Sequence, residues 1–113
     1  MTEFQGLLLS VAIEAPIAWL LATLARWPSR GAWHVAAAAA VATAVTHPQL
    51  WAAAAWLTPR LGWPAAALAG EAAVVVVEGL LIAWIARMRL PHAMLVSLGA
   101  NAASFAAGFL VAG

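Results

Sequence analysis

The chain has 113 residues, of which 66% are apolar and only 8% charged, and its net charge is +1. Soluble domains are about half apolar and about a quarter charged, so this chain cannot cover a core with polar surface. The composition excludes an ordinary water-soluble domain, and a one-charge excess excludes a basic surface for nucleic acid. Because cysteine is absent, disulfides, thiolate metal sites and thiol nucleophiles are excluded as well.

Charged residues and helix breakers divide the chain into four apolar runs. The runs cover residues 4–25, 33–57, 63–86 and 91–111. Each run is long enough to cross roughly 30 Å as a helix, at about 1.5 Å per residue, which matches the hydrocarbon core of a bilayer. The connections hold only a few residues, so successive helices should be antiparallel neighbours. The sequence predicts a single all-α domain over residues 1–113, an integral membrane, up-down bundle of four transmembrane helices.

The arginines predict how this bundle is oriented. The first and third connections carry Arg26, Arg30, Arg87 and Arg89, whereas the second carries Arg60 alone. Arginine-rich loops stay on the cytoplasmic side of a membrane. We therefore expect a protein of the cell (inner) membrane, in contact with membrane lipid, with both termini outside.

Each predicted span carries one strongly polar residue near its middle. Counted from the predicted outer ends, these residues lie about 12–15 Å deep, close to the bilayer midplane. They are Glu14, His47, Glu71 and Asn101. An ionisable group at that depth costs about 2.5–3.5 kcal/mol, so such groups should be few and should face the interior. The common depth predicts a shared site that binds a cation, either a proton or a divalent metal, in aid of transport.

A second polar level is predicted about 10 Å further in. It places Glu78 beside Thr43 and Ser97, and Glu78 lies two helical turns from Glu71 on the same face. Two interpretations stay open. The level either extends a path for cations or protons, or it only lets Glu78 hydrogen-bond to the hydroxyl groups.

The predicted site could hold a metal as well as a proton. Glu14, His47 and Glu71 offer the oxygen and nitrogen ligands that suit zinc, manganese or iron(II), so a divalent metal is the cofactor to consider. Without a metal, closely placed carboxylates in a low dielectric cannot all ionise, and at least one holds a proton at neutral pH.

Three segments resemble a group of small, mostly bacterial four-span membrane proteins to which no activity is assigned. Residues 46–51, 71–78 and 100–108 show its THPxxW, E-x6-E and ANxxSFxxG pattern. The resemblance implies the four-span architecture and no particular function. By length, span number and a glutamate midway through the first span, the chain also resembles the small multidrug resistance transporters. That second resemblance implies proton-coupled exchange of cationic substrates by a homodimer.

Two other functions fit the same residues. A structural subunit of a larger membrane complex would use buried polar side chains to hold helices in register. In an intramembrane hydrolase, His47 or a glutamate would activate water, Asn101 would stabilise an oxyanion, and Ser10 or Ser104 would be the nucleophile. That set is similar to the glutamate-dependent intramembrane prenyl-protein proteases. No GxSxG or HExxH motif is present, so an enzyme is the less favoured expectation.

The small size of the chain bears on its assembly. Four short helices can hardly enclose both a binding site and an access path to it. We therefore expect a homodimer or a larger membrane complex.

Overall fold

Residues 2–112 form four α-helices joined by short connections. The computed structural model describes this range, with side chains for residues 2–111, and the two end residues of the predicted domain, Met1 and Gly113, lie outside it. The helices are α1 (Glu3–Ala25), α2 (Ala32–Leu61), α3 (Trp63–Ile85) and α4 (Leu90–Ala112). The prediction of an all-α chain with four helices is confirmed.

Local signals explain where the first and third helices begin. At the start of α1, the Thr2 hydroxyl accepts a hydrogen bond from the Gln5 amide at 3.1 Å, and the Gln5 side chain accepts one from the Thr2 amide at 3.0 Å. This reciprocal capping box satisfies two amide groups that have no partner inside the helix. Pro64 lies in the first turn of α3, where its missing N–H costs nothing.

The end of α2 corrects the predicted second connection. A loop was expected over residues 58–62, but the helix continues to Leu61 and only Gly62, at φ 81°, separates it from α3. Pro59 removes one backbone donor from this last turn. Neighbouring carbonyls gain side-chain donors instead, because the Thr58 hydroxyl donates to Ala54 O at 2.7 Å and the Arg60 guanidinium donates to the Trp56 carbonyl. The helix continues through the proline to Leu61.

The four helices pack in a ring. Helix α1 contacts α2 and α4, and α3 contacts the same two helices from the other side. At the end that holds connections 26–31 and 86–89, the centre is filled by small and branched apolar side chains. The principal ones are Ala18, Ala22, Val35, Ala38, Ala39, Ile82, Ala93 and Val96. The Arg30 amide donates to Ala86 O at 2.7 Å and so joins the two connections. We call this the closed end.

The outer surface of the fold is apolar. Large exposed side chains include Phe4, Leu24, Trp33, Leu68, Trp84 and Leu110. Within residues 2–112, three helical segments are long and apolar enough to cross a membrane: Glu3–Ala25, Trp63–Ile85 and Leu90–Val111. The predicted second span, in the alanine-rich α2, is not among them. These features indicate association with a membrane.

Candidate functional site

Every helix contributes to one buried polar cluster in the middle of the fold, which we call the polar core. It consists of Glu14 from α1, Thr43 and Thr46 from α2, Glu78 from α3, and Ser97 and Asn101 from α4. All six side chains are buried. A polar cluster in an apolar interior is retained only where its members satisfy one another by hydrogen bonds.

Glu14 and Glu78 form the centre of the polar core. Each is only 2% exposed, and the two carboxyl groups are close neighbours. Two carboxylates have no hydrogen to share, so a hydrogen bond between them requires a proton on one of the two. The charged neighbour of Glu14 is Glu78 and no basic side chain. The pair therefore has to be neutralised by something other than an arginine of this chain.

Hydrogen-bond donors hold both carboxyl groups in place. Thr46 donates to Glu78 Oε2 at 2.6 Å, and Asn101 Nδ2 donates to Glu78 Oε1 at 3.1 Å. Thr43 donates to Glu14 Oε1 at 3.1 Å. Asn101 is itself positioned within α4, because its Nδ2 also donates to Ser97 O at 2.8 Å. Donors from α2 and α4 thus fix two acids that come from α1 and α3.

The two threonines can serve a protonated acid as well as an ionised one. Thr43 Oγ1 lies 2.9 Å from Ala39 O, and Thr46 Oγ1 lies 3.0 Å from Ala42 O. A hydroxyl has one hydrogen, which goes either to that carbonyl or to the carboxylate. When the acid is protonated, its O–H can donate to the threonine oxygen while the threonine donates to the carbonyl. Both protonation states are then satisfied without any movement of heavy atoms.

A cavity of about 400 Å³ lies beside the polar core, towards the end of the fold opposite the closed end. Its polar lining consists of Ser10, His47, Glu71 and Ser104, and its aromatic lining of Trp51, Trp63, Phe105 and Phe109. The Ser104 hydroxyl donates to Asn101 O at 3.1 Å, and Ser104 is a near neighbour of Glu14. Ser104 is therefore shared by the cavity and the margin of the polar core, and it separates the buried acids from the cavity by a single side chain.

The four residues predicted at one level divide between these two places. Glu14 and Asn101 lie in the polar core, whereas His47 and Glu71 line the cavity. His47 Nε2 lies 3.2 Å from Glu3 O, at the start of α1. The count of depths assumed that all helix ends are level, but α2 has 30 residues and α1 has 23. Residues that lie the same number of positions from the predicted ends of helices of different length need not lie at the same depth in the bundle.

The predicted second level is also rearranged. Glu78 bonds to Thr46 and Asn101 and approaches Glu14, so it belongs to the same cluster as two residues of the first level. Thr43 bonds to Glu14. Ser97 donates to Val75 O at 2.8 Å and accepts from Asn101 Nδ2 at 3.3 Å. One cluster replaces the two predicted levels.

Sequence reasoning left Thr46 and Ser104 out of the cation site. Thr46 makes the shortest side-chain contact to Glu78, and Ser104 joins the acids to the cavity. Their spacing was a usable signal, because Thr46 lies three residues after Thr43 and Ser104 three residues after Asn101. Residues three apart share a helix face.

The metal-binding interpretation needs Glu14, His47 and Glu71 as joint ligands. Among the residues that the structure describes, no three histidine or acidic side chains form a group that could hold a metal ion. His47 points its Nε2 at a backbone carbonyl instead. The described residues therefore offer no joint ligand set for zinc, manganese or iron(II).

Comparisons with protein-family models, curated proteins and solved structures found no match to this chain. The resemblances inferred from its motifs stay predictions. What the chain can do is therefore inferred from the polar core and the cavity.

Proposed function

We propose that this chain is an integral membrane protein whose buried acid pair, Glu14 and Glu78, binds one proton in aid of transport. The observation that carries the proposal is the approach of two carboxyl groups, each 2% exposed, without a basic partner. Like charges so close in a low dielectric cannot both ionise. This arrangement supports a proton as the bound cation.

The membrane architecture is part of the proposal. Four antiparallel spans are supported by the closed end, whose packing combines the last turns of α1 and α3 with the first turns of α2 and α4. We propose that helix α2 spans as well, with Thr43, Thr46 and His47 buried against the other helices and Gln49 as the exposed polar side chain near its middle. Four of the five arginines lie at the closed end, which favours a cytoplasmic location for that end and an outer location for both termini.

Access to the acid pair is one-sided in this arrangement. The cavity leads to Ser104 and from there to Glu14, whereas the closed end is filled by alanine, valine and isoleucine. Protons then reach the pair from the outer side through the cavity, past His47 and Glu71. Release towards the cytoplasm requires the helices to move apart at the closed end, and a homodimer or a larger complex supplies partners for that movement.

Infrared spectroscopy of the protein in lipid nanodiscs tests proton binding directly. At neutral pH the wild type should show the C=O stretching band of a protonated carboxyl group, and Glu14→Gln and Glu78→Gln should each remove or shift it. Glu3→Gln is the matched control, because Glu3 is an exposed acid at the start of α1 and should leave the band unchanged.

Proteoliposomes test the link to transport. Wild-type protein should move protons down an imposed gradient, as reported by a pH-sensitive dye inside the vesicles, and both polar-core variants should abolish the signal. A wild type without a protonated band, or a band that survives both substitutions, contradicts the proposal. The chain would then be better explained as a structural subunit of a larger membrane complex.

A further inference from the structure

A second polar site lies at the closed end, well away from the acid pair. Arg30, from the connection between α1 and α2, and Arg87, directly after α3, line one cavity of about 620 Å³. Ala83, Trp84 and Ile85 complete its lining. The hydrogen bond from the Arg30 amide to Ala86 O, at 2.7 Å, fixes the two arginine backbones beside each other. The main chain thus brings together two like charges that would otherwise repel.

The backbone of Arg87 adds an independent observation. Its φ is +53°, in the left-handed region, and the Met88 amide closes the turn by donating to Ala83 O at 3.0 Å. This position after a helix is one that glycine normally occupies. Arg87 occupies this position and lines the same cavity as Arg30.

The surface next to this cavity is apolar. Trp84 is 78% exposed, and Val77 and Leu80 are exposed on the neighbouring part of α3. Because these residues are seven and four positions before Trp84, they lie on roughly the same side of the helix. An apolar strip therefore runs along α3 from the arginine pair towards the middle of the fold.

We propose that Arg30 and Arg87 bind the phosphate of an anionic phospholipid, with an acyl chain lying along Val77 and Leu80. Guanidinium groups bind phosphate oxygens through paired hydrogen bonds, and tryptophan prefers the headgroup level of a bilayer. Anionic lipids are the ones that basic residues at the cytoplasmic leaflet attract. The inference rests on the proposed function for the bilayer location and orientation, and it does not depend on a proton at Glu14 and Glu78.

Native mass spectrometry of the detergent-solubilised protein tests this site. Wild-type protein supplied with phosphatidylglycerol should keep a bound lipid, and Arg87→Gly should lower the bound fraction several-fold. Glycine suits a positive φ, so this substitution removes the side chain without straining the backbone. Arg30→Gln should have the same effect from the other side of the cavity.

Arg26→Gly is the matched control. Arg26 also has a positive φ, 56°, and lies at the closed end, but it does not line this cavity. It should keep the bound lipid. An equal loss in Arg26→Gly, equal retention of zwitterionic phosphatidylcholine, or equally tight binding of inorganic phosphate alone would each overturn the lipid site. None of these outcomes bears on the infrared band of the acid pair, so the two proposals fail separately.

Discussion

The carboxyl groups of Glu14 and Glu78 meet at the centre of the fold, although α1 and α3 stand diagonally across the ring of helices. Both helices pack mainly against α2 and α4, which also supply the donors Thr43, Thr46 and Asn101. In the proposed function a shared proton holds the acids together, and its loss would leave two like charges that repel. Proton occupancy and helix packing are therefore coupled at this point.

The hydrogen bond from Asn101 to Glu78 should make a measurable contribution to stability. Asn101→Ala leaves Glu78 Oε1 without its amide donor, and an unsatisfied buried acceptor costs about 1–3 kcal/mol. Reversible unfolding in mixed detergent micelles should therefore show that loss. Gln49→Ala, which truncates an exposed amide on α2, should stay within about 0.5 kcal/mol of wild type. Equal stability of the two variants would show that the contact is not formed.

The Thr46 hydroxyl should tune the vibration of the acid that it contacts. Thr46→Val removes the donor at 2.6 Å from Glu78 Oε2 and keeps nearly the same volume. A protonated carboxyl group with one donor fewer has a stiffer C=O bond, so its infrared band should move to higher frequency. Thr46→Ser restores the hydroxyl and should return the band to its wild-type position. If the frequency of the band is the same in wild type, Thr46→Val and Thr46→Ser, the protonated carboxyl group is not that of Glu78.

The sequence was sufficient to predict the four helices. It was not sufficient to predict which side chains contact the buried glutamates. Four long apolar runs and their breakers predicted the elements, and only the end of α2 was missed, because the helix continues through Pro59 to Leu61. Glu71 and Glu78 lie seven residues apart on one face, so both were equally able to face Glu14. Whether Glu71 or Glu78 reaches Glu14 depends on how far α1 and α3 are shifted along each other. A local sequence pattern does not reveal that shift.

The contact between α3 and α4 should not tolerate a larger residue at Gly79. A Cβ there would overlap Met94 Sδ and lie 3.3 Å from Met94 Cα, so the backbone as well as the flexible sulfur would have to move. Overpacking of this kind costs about 1–3 kcal/mol, and Gly79→Ala should unfold correspondingly earlier in detergent titrations. Gly108→Ala is the control, since its Cβ would meet nothing within 4 Å. A Gly79→Ala variant as stable as Gly108→Ala would contradict the close approach of the helices.

Filling the cavity should slow the exchange of protons between solvent and the acid pair. Gly108 lines the cavity and has open space beside it, so Gly108→Leu can place a bulky side chain there without a backbone clash. When the protein is transferred from H2O to D2O, the infrared band of the protonated carboxyl group shifts as deuterium replaces hydrogen. We expect this shift to be several-fold slower in Gly108→Leu than in the wild type or Gly108→Ala, with the final spectrum unchanged. Exchange at the wild-type rate would mean that protons enter by another route, through the closed end or between the helices, and that the cavity is not the path to Glu14.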